Sequence, residues 1–184
     1  LTQKWFAPPN LESLKKDIRD IAREYVQKMM EYGNECDFAK DVAIFYPLRV
    51  IMSILGVPKE DEPRMLRLTQ ELFGGRDEDM IRDTDETSPE SNTITDFFEY
   101  FTNLTEERRK QPTEDVASVI ANAKIKNEPL GNLEAMSYYV IIATAGHDTT
   151  SSSTAGGILA LTENPKEFSK LKNNPDLMPS AVEE

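Results

Sequence analysis

Asn132-Leu133-Glu134-Ala135-Met136-Ser137-Tyr138-Tyr139-Val140-Ile141-Ile142-Ala143-Thr144-Ala145-Gly146-His147-Asp148-Thr149-Thr150-Ser151-Ser152-Ser153-Thr154-Ala155-Gly156-Gly157 is the stretch on which the fold turns. Asn132 reads as an N-cap, and Glu134 lies in the first turn, where the helix dipole favours an acid. Nothing forces a stop before Asn164-Pro165, so the pattern predicts one helix over 132–162, roughly 46 Å long at ~1.5 Å per residue. Its centre is built from poor helix formers. Gly146, Gly156 and Gly157 each cost about 1 kcal/mol relative to Ala. The Ser/Thr run between them can return hydrogen bonds to carbonyls one turn earlier and loosen the ladder. Tyr138, Ile141, Ala145, Thr149 and Ser152 share one face, which changes from bulky to small at Ala145. A flat, rigid partner could lie against that face with Asp148 and Thr149 beside it, or a second helix could pack there closely. A third reading, a Ser-His-Asp hydrolase built on His147 and Ser151, lacks the Gly-x-Ser-x-Gly elbow that exposes such a nucleophile.

Outward from this stretch almost every segment reads helical. Leu14, Ile18, Ile21, Ala22, Tyr25 and Met29 recur at three- and four-residue spacing, giving a helix from Leu11 to about Glu31 that Gly33-Asn34 ends. Asp41 looks like the cap of a second helix, Val42 to Leu55, apolar around most of its circumference and therefore expected in the body of the fold. Pro47 implies a bend there, or a later start. A third helix opens at Pro58 or Lys59 and runs to about Phe73. Residues 74–92 are acidic, with Asp77, Glu78, Asp79, Asp83, Asp85, Glu86 and Glu90 against Arg76 and Arg82, and read as a solvated loop. The acids do not follow the alternation of a Ca²⁺-binding loop. Thr93 to Lys110 is a fourth helix with Phe97, Phe98, Phe101 and Leu104 on one side, and Glu114 to Ala123 a short fifth. Lys126-Asn127-Glu128-Pro129 is turn chemistry. No strand alternation appears, so the chain is read as all-α.

Composition narrows the function. Across 184 residues, 21 Lys and Arg face 33 Asp and Glu for a net charge of −12. That balance opposes a nucleic-acid partner, which requires clustered cations to neutralise phosphates. No apolar run approaches the ~20 residues of a membrane-spanning helix. The start, Leu1-Thr2-Gln3-Lys4-Trp5, is no signal peptide and reads as a chain entered partway. One cysteine, Cys36, and one histidine, His147, exclude an internal disulfide and any metal site made of several Cys or His; Cys36 reads as a half-buried structural thiol.

Residues 145–150, Ala-Gly-His-Asp-Thr-Thr, match [Ala/Gly]-Gly-x-[Asp/Glu]-Thr-[Thr/Ser], and the chain thereby resembles the cytochrome P-450 superfamily of haem-thiolate monooxygenases. Pro112-Thr113-Glu114-Asp115-Val116 before the helix, Glu163-Asn164-Pro165 after it and Ala181-Val182-Glu183-Glu184 at the end fit the same family in order. Trp5-Phe6, Glu35-Cys36-Asp37-Phe38, Leu55-Gly56-Val57-Pro58, Asp61-Glu62-Pro63 and Leu68-Thr69-Gln70 are similar to the bacterial α-terpineol monooxygenases within it. The resemblance implies that 1–184 is a single partial domain, the central helical part of that fold. It further implies a loop at 74–92 joining two lid helices and an oxygen-activating helix at 132–162. It implies haem b lying against Ala145, Gly146 and Thr149, with a thiolate on its far side. Thr149 would hydrogen-bond the oxygen being reduced and hold the water that protonates it, and Asp148 would relay protons from solvent. Ile141, Ile142, Thr144 and Ala145 would border the substrate pocket.

The partners implied are a small hydrophobic substrate such as a terpenoid alcohol, O₂ and a ferredoxin-type electron donor, in the cytoplasm and without nucleic acid or membrane. The axial cysteine of the family stands in a Phe-x-x-Gly loop downstream of the helix. Cys36 stands upstream in no such loop, so no metal ligand is expected in this chain. Glu184 would open the family's Glu-x-x-Arg motif. The 184 residues by themselves are accordingly expected to bind no haem and to be inactive. The competing reading is an all-α binding or interaction module that keeps the helical scaffold without the chemistry.

Overall fold

The computed structural model describes residues 2–3, 5–33, 35–73 and 89–183. Helix α1 (Pro8–Glu31) begins with proline in its first turn, where the missing N–H costs nothing, and ends before Gly33 at φ +84°. Among its described side chains only Ile21 and Tyr25 are deeply buried, and most of the rest are exposed.

The second helix departs from its expected start. Asp41 caps nothing there: its carboxylate accepts the Asp37 N–H at 2.8 Å, while the Asp37 side chain accepts from the Lys40 N–H. Asp37 thus opens a π-helical turn, Phe38–Ala43, and α2 (Phe45–Leu55) begins only after Ile44. Pro47 is the physical reason. It has no N–H to give Ala43, so the helix restarts with the proline in its first turn. α2 closes on Gly56 at φ +72°.

A 3₁₀ turn (Lys59–Asp61) leads into α3 (Glu62–Phe73). The acidic stretch expected as a loop lies largely outside the described residues, and α4 (Pro89–Lys110) starts four residues before the expected Thr93. Helix α5 (Val116–Ala121) is capped by Asp115, which accepts the Ser118 N–H at 2.7 Å. The turn chemistry at 126–129 makes a minimal hairpin, β1 (Lys124–Ile125) pairing antiparallel with β2 (Glu128–Pro129). Lys126 and Asn127 both take left-handed φ, +53° and +71°, as a two-residue hairpin turn requires. Two-residue strands are too short to show alternation in sequence. Apart from this hairpin the regular secondary structure of the described residues is helical, in agreement with the all-α reading.

The largest departure is in the long helix. Asn132 is its first residue rather than its cap, since extended Gly131 precedes it. The expected continuous helix over 132–162 is instead two helices, α6 (Asn132–Ala145) and α7 (Asp148–Glu163), interrupted at Gly146-His147. Helix α8 (Pro165–Asn173), a 3₁₀ turn (Pro175–Leu177) and α9 (Met178–Glu183) follow.

The core has α2 at its centre, as its all-round apolar character predicts. Leu48, Met52 and Leu55 are at most 1% exposed and meet Met65 and Leu68 of α3, Phe97 and Phe101 of α4, Val116 and Ile120 of α5, and Met136 and Tyr139 of α6. Phe101 stacks on Tyr139 with ring centroids 4.6 Å apart, fixing α4 against α6. A second cluster joins α1 through Ile21 and Tyr25 to Val42 of the π-turn, with Phe45, Tyr46 and Val50 against it. Buried Arg108 locks three elements. It donates to Asp115 at 2.7 Å, to Glu107 and to the Gly56 carbonyl, tying the ends of α2 and α4 to the cap of α5.

Candidate functional site

The α6–α7 unit has two unlike faces. Ala135, Tyr139, Ala143, His147 and Ser151 follow one another at four-residue spacing, and all are buried against the rest of the fold. On the other side Ile141, Ala145, Asp148, Thr149 and Ser152 are exposed, Ile141 by 61%. Bulk therefore drops along the exposed face from Ile141 to the single methyl of Ala145 and the small polar groups beyond.

The interruption lies beside that drop. The His147 N–H reaches back only to the Thr144 carbonyl, at 3.3 Å, and a regular bond resumes from the Ser151 N–H to the His147 carbonyl. Hydroxyls occupy neighbouring carbonyls as the Ser/Thr content suggests: Thr144 donates to Val140, Thr149 to Ala145, Ser151 to His147 and Thr154 to Thr150. Asp148 opens α7, where the dipole favours its charge. Gly146 has a packing reason of its own. A Cβ there would stand 2.5 Å from Cδ1 of Ile51, so the absent side chain lets α2 approach the junction.

His147 is 4% exposed, and its Nε2 lies 2.9 Å from the Ile44 carbonyl, between the π-turn and α2. A carbonyl can only accept, so this nitrogen carries the hydrogen. Burial lowers the pKa of the imidazole below its usual value against the opposing pull of the Ile44 bond and the Asp148 charge, and the ring is neutral at pH 7.

This arrangement decides between the sequence readings. Ser151 donates to the His147 carbonyl and not to the ring, the ring serves Ile44, and Asp148 is exposed, so no Ser-His-Asp relay exists here. A side chain built at Gly156 or Gly157 meets nothing within 4 Å, so among the described residues no helix packs on that end of the small stripe, whereas at Gly146 α2 approaches closely. No group of three or more His, Cys, Asp and Glu could hold a metal ion among the described residues.

Of the residues expected at the site, Ile141, Ala145, Asp148 and Thr149 stand together on the exposed face. Ile142 is half-buried and packs against the core, Gly146 faces Ile51, and half-buried Thr144 spends its hydroxyl on Val140. His147 is the residue that sequence reasoning missed. Its place in the four-residue buried series with Ala143 and Tyr139 is the signal that marks it as inward-facing. Cys36, expected to be half-buried, is exposed, because it lies in the link between α1 and the π-turn and not on a packed helix face.

No protein-family model matches the chain. Over its whole length it is 42% identical to cytochrome P-450-terp of a Pseudomonas species and 31% identical to cytochrome P-450 CYP107DY1 of Priestia megaterium. Its fold matches the crystal structure of CYP108D1 from Novosphingobium aromaticivorans with a TM-score of 0.83 over 98% of the chain, at 46% identity. The chain belongs to the cytochrome P-450 family. It spans 45% of cytochrome P-450-terp, 43% of CYP107DY1 and 42% of the CYP108D1 chain, less than half the length of the relatives it matches. The family pattern at 145–150 therefore sits on the broken α6–α7 helix, and no described helix is long and apolar enough to cross a membrane.

Proposed function

We propose that residues 132–163 form the oxygen-activating wall of a haem-dependent monooxygenase that hydroxylates a small hydrophobic substrate with O₂ and electrons from a ferredoxin-type donor. The observation that carries this is the exposed face of α6–α7, where Ala145 offers a flat approach and Asp148 and Thr149 stand beside a break in the helix ladder. The residues fit a planar group: from Ala145 to Gly156 the exposed face carries only small side chains and Asp148, with bulky Ile141 before this stretch and Leu159 after it. Haem b, when bound, supplies reductive activation of O₂ and oxygen insertion into a C–H bond.

The chain's own residues supply position and protons. Ala145, with a single methyl on the exposed face, would let the group lie close to the helix, and Gly146 behind it lets α2 support the helix from the other side. Thr149 now donates to the Ala145 carbonyl at 3.2 Å, and a rotation about χ1 turns the same hydroxyl toward the exposed face. There it holds a water and passes a proton. Asp148, exposed to solvent, would supply that proton, taking it from bulk water and handing it to the water and hydroxyl at Thr149. Ile141 bounds the apolar space in front of the face, with Thr144 at its edge. Likeness to the terpene-related cytochrome P-450-terp supports a terpenoid alcohol as the substrate.

The test is made on the full-length protein. It should show the carbon monoxide band of a haem-thiolate centre and a hydroxylated product, and Thr149→Ala should keep the band while diverting reducing equivalents to hydrogen peroxide. Unchanged product yield per reducing equivalent in Thr149→Ala would remove Thr149 from the mechanism. The 184 residues alone, whose single thiol is the exposed Cys36, should give no such band.

A further inference from the structure

We propose that His147 is a positioning residue, which by its bond to the Ile44 carbonyl holds the α6–α7 interruption in place and so fixes where Asp148 and Thr149 stand. The inference rests on reading the exposed face as the oxygen-activating wall, and it concerns what keeps that wall in register.

The backbone at the break does not enforce the break. Gly146 has φ −95°, ψ −11° and His147 has φ −91°, ψ −65°, values open to any residue and close to helical. No proline stands between Asn132 and Glu163, and the back-bonded hydroxyls permit a loosened ladder without fixing its position. The segment is therefore free, on its own account, to close into continuous helix or to move the interruption by a residue. The tie that selects one arrangement comes from outside the helix. The imidazole of His147 is buried, and its partner lies 103 residues earlier in the chain.

That partner is itself anchored. Ile44 separates the π-turn from α2, a junction whose place Pro47 determines, and α2 is the most deeply packed helix of the core. The π-turn also packs against α7, so the anchor and the segment it holds meet along a surface and not at one bond alone. The consequence for the site is geometric. Each residue of helix turns about 100° around the axis, so a one-residue shift of the interruption re-aims Thr149 and Asp148 by about that angle relative to Ala145 and Ile141.

The test uses the full-length protein with His147→Phe, which keeps a planar ring and loses the bond, and His147→Gln, whose amide reaches the same carbonyl. Two readings are taken: hydrogen exchange of amides 144–151, and the share of reducing equivalents recovered in product instead of peroxide. For His147→Phe we expect exchange in that segment to rise about tenfold, the size of one ordinary hydrogen bond, while the core is unchanged. Product recovery should fall several-fold with it. His147→Gln should recover most of both. Wild-type exchange in His147→Phe overturns the proposal. Should that variant not fold, His147→Asn, too short to reach Ile44, is compared with His147→Gln; equal exchange in the two overturns it. If the wild-type protein yields no oxygenated product, the functional reading falls while the exchange comparison still decides the role of His147.

Discussion

At the scale of single residues, the junction concentrates the most consequential choices. His147 is kept neutral by burial, so its folded pKa lies below the unfolded value near 6.5. The unfolded chain then binds the proton first as pH falls, and the stabilisation from this group is complete above about 6.5 and lost as pH drops through the folded value. Urea unfolding followed between pH 8 and pH 5 should show this loss, and His147→Gln should flatten the curve over the same interval. Gly146→Ala sets two effects against each other. Alanine gains helix propensity of up to about 1 kcal/mol, but its methyl needs the space that Cδ1 of Ile51 occupies. Overpacking of this kind costs roughly 1–3 kcal/mol, so the variant should be less stable. Adding Ile51→Val, which removes that Cδ1, should restore stability, and a double-mutant cycle showing no coupling would contradict this account.

At the scale of elements, the Arg108 knot joins pieces whose helical propensity alone would not place them. Asp115 caps α5 and accepts from both Arg108 and Thr113. Burial raises its pKa, yet the bonds from Thr113, Ser118 and Arg108 hold it below the usual carboxylate value. Asp115→Ala leaves Arg108 buried beside a lost partner, and thermal or chemical unfolding should register a loss of about 3–5 kcal/mol. Gly56 belongs to the same knot. Its left-handed φ suits glycine, and a Cβ there would stand 1.9 Å from Oδ2 of Asp115. The Leu55-Gly56-Val57-Pro58 and Pro112-Thr113-Glu114-Asp115-Val116 segments, far apart in sequence, thus meet through one guanidinium.

At the scale of the whole molecule, burial is uneven. The core spans α2 to α6, whereas α8 and α9 bury no residue and α7 buries only Ser151. Ile158, Leu159, Phe168, Met178 and Val182 are exposed apolar side chains, between 41% and 78%. Helices held by so little tertiary packing open at low free-energy cost. Limited proteolysis of the 184-residue chain should therefore cut at Lys166, Lys170 and Lys172 before it cuts in the core. A fluorescent apolar dye should bind the same polypeptide, and protection of 160–183 equal to that of α2 would contradict the picture.

Local chemistry was enough for much of this. The 3.6-residue period placed most helices to within a few residues, apolar residues all around α2 marked it as central, and Ala145–Thr150 with its flanks pointed to the family. Small residues from Ala145 onward announced an unusual helix face. What stayed illegible depended on partners distant in the chain. Pro47 announced a late helix start but not the π-turn that absorbs it. The two-residue hairpin lies below the length at which alternation can be seen. Above all, the break at Gly146-His147 has no breaker in its own sequence: weak propensity made it possible from Ala145 to Gly157. Its position at 146–147 follows from the Ile44 carbonyl meeting one imidazole and from Ile51 lying where a Cβ would be. Sequence determined that the helix could yield; tertiary structure decided where, because the bond and the contact that select the position come from another helix.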